Sequence, residues 1–377
     1  MPVTTTPRWS YSRLRQGGKR IAIDGTFFRY ASGVARVWKS LLAQWSKSSL
    51  APSLVVIDRA RTAPRWPSIH YVDAPLYDYH HVEEDRALMQ SICDRERVAL
   101  FISTYYTLPL TTPSALLVLD MIPEVLGFDL TNPQWVGKRH AIEYAQAFLS
   151  ISHSTERDLV RIYPATSAKS KAVAHCGSDF RPAGATQLHA FKTRFGIQRP
   201  YFMISGAHGG QKNGELFFKA FARLGDARSE LAVVCTNAAP PLDEALAAHI
   251  GDAQLHMLVL TDEELQCAYS GAIALSYPSR YEGFGLPVLE GMACACPVIT
   301  TRSSSIPEVG GDAVLYVDPD SVDDMHQALL DVQLPAIRAD LVARGLRQAD
   351  LFSWSRMSRE VGQHLAHWAV ELNQNPS

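Results

Sequence analysis

Tyr277-Pro278-Ser279-Arg280-Tyr281-Glu282-Gly283-Phe284-Gly285-Leu286-Pro287-Val288-Leu289-Glu290 joins the end of an apolar strand run to the start of a helix. The run ends near Ser276, a turn carries Gly283 and Gly285, and the helix opens near Leu286, with Pro287 suited to its first turn. Glycines let backbone take positive φ and approach a ligand closely. Amides at a helix start can bind phosphate. Glu282 and Glu290 flank this turn. Carboxylates beside a diphosphate would repel it, so they are useful only as acceptors for hydroxyls, which points to sugar. The bland alternative is a tight strand-turn-helix junction with two surface acids, and these residues alone leave both readings open.

Outward from this stretch, short apolar runs alternate with amphipathic stretches, the pattern of parallel sheets with crossover helices. The first half holds six runs: Arg20–Asp24, Leu54–Ile57, Ala99–Ser103, Ala115–Leu119, Phe148–Ser152 and Ala172–His175. The second holds six more: Tyr201–Ser205, Leu231–Cys235, His256–Leu260, Ala272–Ser276, Val298–Thr300 and Val314–Val317. The expected organisation is a basic N-terminal tail over 1–19, α/β units over 20–185 and 195–352, and a final helix over 353–377. That helix has Trp354, Met357, Val361, His364, Leu365 and Trp368 on one side and is free to pack on another unit. Gly and Pro between Gly177 and Pro200 mark the boundary. Ligands on open parallel sheets sit outside the carboxyl ends of strands, so a cleft between two such sheets is the expected site.

Bulk properties exclude several classes. In 377 residues, 47% are apolar and 20% charged, with a formal net charge of −2. That is ordinary globular composition, with no excess charge to hold nucleic acid. No apolar run approaches the ~20 residues of a membrane span. The tail has Arg8, Arg13, Arg15, Lys19 and Arg20 but no apolar run after them, so a solvated tail is expected. A weak contact with anionic lipid, helped by Trp9 and Tyr11, is its second reading. The six cysteines, at 93, 176, 235, 267, 294 and 296, form no Cys-x-x-Cys pair and read as reduced core thiols of a cytoplasmic protein. No metal site is expected, and His80-His81 reads as surface.

Ser279 through Ala293 resembles the signature of retaining GT-B-fold glycosyltransferases of family four, the group 1 glycosyltransferases. The likeness continues in register through Cys296-Pro-Val-Ile-Thr300, Ser305-Ile-Pro-Glu-Val-Gly-Gly-Asp-Ala313 and Val317-Asp-Pro319. It implies two Rossmann-like parallel-sheet domains facing across a cleft. By the resemblance, Glu282 contacts donor-sugar hydroxyls, Glu290 the nucleotide ribose, and Gly283, Phe284, Gly285 and Leu286 the sugar and phosphates. Tyr201-Phe-Met-Ile-Ser-Gly-Ala-His-Gly-Gly-Gln-Lys-Asn213 resembles the family's diphosphate grip, which assigns Gly206, Lys212 and Asn213 to the donor. Gln211 stands where an arginine is usual. Gly33, in Ser32-Gly-Val-Ala-Arg36, resembles the family's first glycine loop. Leu119-Asp120 stands where relatives read His-Asp, so Asp120 remains a catalytic candidate and the histidine is missing. His153 could substitute in part, and Tyr105 and Tyr106 are candidates for the acceptor side.

The implied reaction moves a hexose, best matched by mannose from GDP-mannose, to a hydroxyl of a glycan or lipid-linked saccharide, with retained configuration. The implied mechanism uses no metal ion and no other cofactor, and Lys212 stabilises charge on the leaving diphosphate. Cytoplasmic work at the inner face of the membrane is expected. Two rivals stay open: a GT-B sugar-nucleotide epimerase, and a catalytically silent sugar-nucleotide-binding subunit, which Leu119 and Gln211 favour.

Overall fold

A computed structural model of the chain describes Leu14 and residues 17–207, 210–236 and 241–373. The expected tail, with Trp9 and Tyr11, lies mostly outside these residues. Leu14, inside that stretch, is buried. The chain divides into two compact units, 1–176 with 354–377, and 177–353.

The first unit is built on seven parallel strands: β1 (Arg20–Asp24), β2 (Leu54–Arg59), β3 (His70–Ala74), β4 (Val98–Ser103), β5 (Ser114–Val118), β6 (Ala147–Ser150) and β7 (Ser170–Val173). Their order is β3-β2-β1-β4-β5-β6-β7. Sequence reading predicts six strands here; β3 is the addition. It is an edge strand with exposed or half-exposed residues at four of five positions, so it carries no apolar run to betray it. All six residues of β2 are buried by contrast, as expected for a strand covered on both faces.

The last helix, Trp354–Glu371, returns to this unit. Its buried stripe includes Trp354, Met357, Val361, Leu365 and Trp368 and packs on the helix Gly33–Trp45. The indole of Trp45 donates to the Ser358 carbonyl at 2.8 Å, satisfying a polar group that burial would otherwise leave costly.

The second unit holds β8 (Tyr201–Ser205), β9 (Ala232–Thr236), β10 (Gln254–Leu258), β11 (Leu275–Tyr277), β12 (Val298–Thr301) and β13 (Leu315–Val317). They form a parallel sheet in the order β10-β9-β8-β11-β12-β13. The core on one face centres on Phe202, Phe217 and Phe221, with Phe202 meeting the other two rings edge-on. The helix Ala185–Phe195 lies within the stretch expected to be a connector, and the division falls ahead of it, at Cys176 and Gly177. It buries only Phe191, so its pattern is weak. All six cysteines are free and buried.

Each sheet reverses its winding once. β1 lies between β2 and β4, and β8 lies between β9 and β11. At such a switch point the loops leaving two neighbouring strands turn to opposite faces and open a crevice at their carboxyl ends. In the second unit the loops leaving β8 and β11 carry the two strongest motifs.

Candidate functional site

The loop after β8 brings Lys212 to Glu282, seventy positions away, on the loop after β11. Lys212 Nζ donates to Glu282 Oε1 at 2.7 Å and to the Tyr277 hydroxyl at 2.6 Å. Ser279 Oγ donates to the same Glu282 oxygen at 2.6 Å. The Lys212 ammonium also lies 4.9 Å from the centre of the Tyr277 ring. An ammonium has three donors. Glu282 and Tyr277 take two of them, and the third has no partner among the described residues. The Lys212 side chain is one-third exposed, against 10% for Glu282, so the cation faces outward over a nearly buried carboxylate. Burial first, and then the charge of Glu282, pushes the Tyr277 hydroxyl well above its ordinary value, so it stays protonated.

The backbone around this pair is fixed on every side. The amide of Arg280 donates to the Gln211 carbonyl at 2.7 Å, with Ser279 Oγ 3.0 Å from the same oxygen, which ties the two loops together. The Glu282 amide donates to Ser304 Oγ at 2.7 Å, and Ser305 Oγ donates to the Glu282 carbonyl at 2.8 Å. Thr300 Oγ1 donates to the Tyr277 carbonyl at 2.7 Å. Such supporting contacts hold a charged side chain in one geometry before any ligand arrives.

Glycines permit the close approaches. Gly206 has φ +79°, and a Cβ there would lie 2.8 Å from Lys212 Cγ, so the glycine leaves room for the lysine stem. A Cβ on Gly214 would collide with the backbone of Ala207. Gly285 has φ +105° and opens the helix Leu286–Ala293. His208 and Gly209, inside the first motif, lie outside the described residues.

Other expected residues take more structural places. Asn213 adopts φ +54° and donates through Nδ2 to the Pro319 carbonyl at 2.8 Å. Its side chain holds the loop. The Phe284 ring is buried and lies 5.9 Å from Phe352, so only its backbone is left to meet a ligand. Glu290 is 3% exposed, and Tyr269 donates to its Oε2 at 3.3 Å. Leu286 is half-buried at the helix start.

Four of the expected residues and Asp120 belong to the first unit. Gly33 is exposed and opens its helix, where Ser32 accepts from the Ala35 amide at 3.3 Å. Asp120 Oδ1 accepts from the Ile122 amide at 2.9 Å and lies 3.7 Å from Lys138. Lys138 is 2% exposed and pairs with Glu124 at 2.8 Å. Tyr105 stacks on Phe27 at 4.3 Å and meets Tyr106 at 4.0 Å. His153 begins a helix capped by Ser152, with its ring 5.7 Å from His175.

Sequence reading missed a buried ionic cluster at the switch point of the first sheet. Arg59, fully buried, donates to both oxygens of Asp24 at 2.8 Å and to Asp85 at 2.5 and 3.0 Å. Thr107 Oγ1 donates to Asp24 as well. Burial works against the guanidinium charge, but the two carboxylates outweigh it and hold it protonated. Burial also pushes the Asp85 carboxyl up.

Residues 199–333 match the family described as Glycosyl transferases group 1. The chain carries a group 1 glycosyltransferase domain. That domain holds the Lys212–Glu282 pair and both loops of the second switch point. The chain is 29% identical over 231 residues to O-antigen chain mannosyltransferase B of Escherichia coli, covering 59% of this chain and 60% of that protein. It is 26% identical over 273 residues to O-antigen chain mannosyltransferase RfbU of Salmonella typhimurium, covering 71% and 73%. The chain therefore spans under two thirds of the first relative's length. Among solved structures, WaaG, a glycosyltransferase involved in lipopolysaccharide biosynthesis, aligns with TM-score 0.73 at 14% identity, over 92% of this chain and 99% of that one. HepE of Anabaena, solved with UDP-glucose, aligns with TM-score 0.71 at 11% identity, over 92% and 99%. These likenesses establish the GT-B fold of two parallel-sheet domains, the second of which carries the group 1 glycosyltransferase domain.

Proposed function

We propose that the chain is a retaining glycosyltransferase that moves mannose from GDP-mannose to a hydroxyl of a glycan or lipid-linked saccharide in cell-surface polysaccharide synthesis. The observation that carries this reading is the Lys212–Glu282 pair at the second switch point. The open donor of Lys212 suits a phosphate oxygen, and its charge would stabilise the negative charge that builds on the leaving diphosphate. Glu282, acceptor-only when ionised, suits hydroxyls of the sugar. A glycosyl transition state has oxocarbenium character. With no protein nucleophile assigned, attack from the face of the departing phosphate accounts for retention, and the phosphate oxygen takes the acceptor proton. No metal ion is required in this scheme. Two O-antigen mannosyltransferases among the relatives support mannose. No helix among the described residues is long and apolar enough to cross a membrane. We place the work in the cytoplasm, at the inner face of the membrane.

A silent donor-binding subunit is the second reading, and two observations favour it. Leu119 replaces the family histidine, and Gln211 meets the other loop only through its backbone carbonyl among the described contacts. Arg280, the nearest arginine in sequence to the pair, is turned to Asp320 at 2.6 Å.

A thermal-shift screen of nucleotide sugars tests the donor claim. GDP-mannose at a hundred times its dissociation constant should stabilise the protein by ~2.7 kcal/mol. A flat response to every GDP, UDP, ADP and TDP sugar would sink the claim.

A further inference from the structure

Tyr277 ends β11, where its backbone pairs with Thr300 of β12, and it is 1% exposed. A phenylalanine here would bury the same ring with no hydroxyl to satisfy, and a buried hydroxyl is costly unless it is bonded. The bond comes from Lys212 Nζ at 2.6 Å, and the ammonium also stands 4.9 Å from the ring centre. At the other end of the lysine stem, Gly206 carries no Cβ, and one there would lie 2.8 Å from Lys212 Cγ. The lysine is therefore confined along its length, at Cγ by Gly206 and at Nζ by Tyr277.

The two groups that hold the ammonium are not equivalent. Glu282 is an anion, and a diphosphate that reaches Lys212 competes with it for the same charge. Two anions on one ammonium repel each other. Tyr277 is neutral, because burial first, and then the charge of Glu282, keeps its proton in place. Its oxygen accepts from Lys212 without adding negative charge beside a phosphate, and its ring attracts the cation as well. A lysine stem has much rotamer freedom to lose when a ligand fixes it. With Tyr277 in place, that freedom is already gone before the ligand arrives.

We infer that Tyr277 is a positioning residue for the donor diphosphate, its hydroxyl and ring holding the Lys212 ammonium in place when a phosphate draws it from Glu282. The inference rests on the transferase reading, which it deepens by adding a residue that acts on the leaving group through Lys212.

The test is titration calorimetry of the full chain with GDP-mannose and, in parallel, UDP-glucose, which share the diphosphate. At least one should bind the wild type. Tyr277→Phe, which keeps the ring and the packing, should weaken that binding roughly tenfold, the loss typical of one hydrogen bond to a charged group. In the Lys212→Ala background the same change should cost less than twofold, because the group it acts through is gone. Guanosine or uridine, which lacks the diphosphate, should bind wild type and Tyr277→Phe alike. A merely structural tyrosine would instead weaken nucleoside and nucleotide sugar together, and would do so with or without Lys212. That result, or nucleotide-sugar binding by Tyr277→Phe within twofold of wild type, overturns the inference. Failure of the donor reading would appear separately, as a wild type that binds neither nucleotide sugar.

Discussion

Lys212→Ala should lower kcat for transfer by roughly 10²–10³-fold, the loss typical when one preorganised donor to developing negative charge is removed. The lysine already sits in a fixed geometry, with Glu282 at 2.7 Å and Tyr277 at 2.6 Å, so no reorganisation is needed when charge builds on the phosphate. Glu282→Gln should also be severe. The amide keeps the shape, but it accepts hydroxyl bonds more weakly than a carboxylate does. Neither change should unfold the protein. Lys212 is one-third exposed, so water can take over its partners in Glu282→Gln. Steady-state kinetics beside circular dichroism decide the matter. Rates within threefold of wild type in both variants would move catalysis away from the pair.

Arg59→Met should be the most damaging single change to stability, at about 3–5 kcal/mol, because it leaves buried carboxylates without their cation. Asp24 is fully buried and Asp85 is 9% exposed, and Arg59 is the ion-pair partner of both. The pH dependence has a definite sign. Asp85 already has a carboxyl raised by burial, and loss of the guanidinium removes the group that opposes this. A carboxyl raised in the folded state binds more protons there than in the unfolded chain, so stability rises as pH falls. The defect should therefore shrink in mild acid and be largest above the ordinary carboxylate range. Urea denaturation at several pH values measures this. A loss below about 1 kcal/mol, or one that grows in acid, would mean that the cluster contributes little.

The central strands were legible because a strand covered on both faces is one apolar run, and β2, β8 and β9 are buried along their whole length. The edge strand β3 was not, because His70, Tyr71, Val72 and Asp73 keep solvent contact. The donor loops were legible through their glycines and acids. What the sequence could not show is that Lys212 and Glu282 touch, since adjacency of the loops after β8 and β11 depends on strand order. Arg59, Asp85 and Lys138 had no signal at all. A charged residue at a strand end or on a helix reads as solvated until the fold buries it against a partner drawn from another element. Asn213 and Phe284 matched the motif, yet their side chains hold the loop and the core. Motif position alone does not say whether a residue serves through its side chain or its backbone.

The most direct measurement is a crystal structure of the protein with GDP-mannose. The account predicts the diphosphate within hydrogen-bond distance of Lys212 Nζ and a mannose hydroxyl within hydrogen-bond distance of Glu282. A nucleotide sugar bound elsewhere, with the Lys212–Glu282 pair untouched, would contradict it.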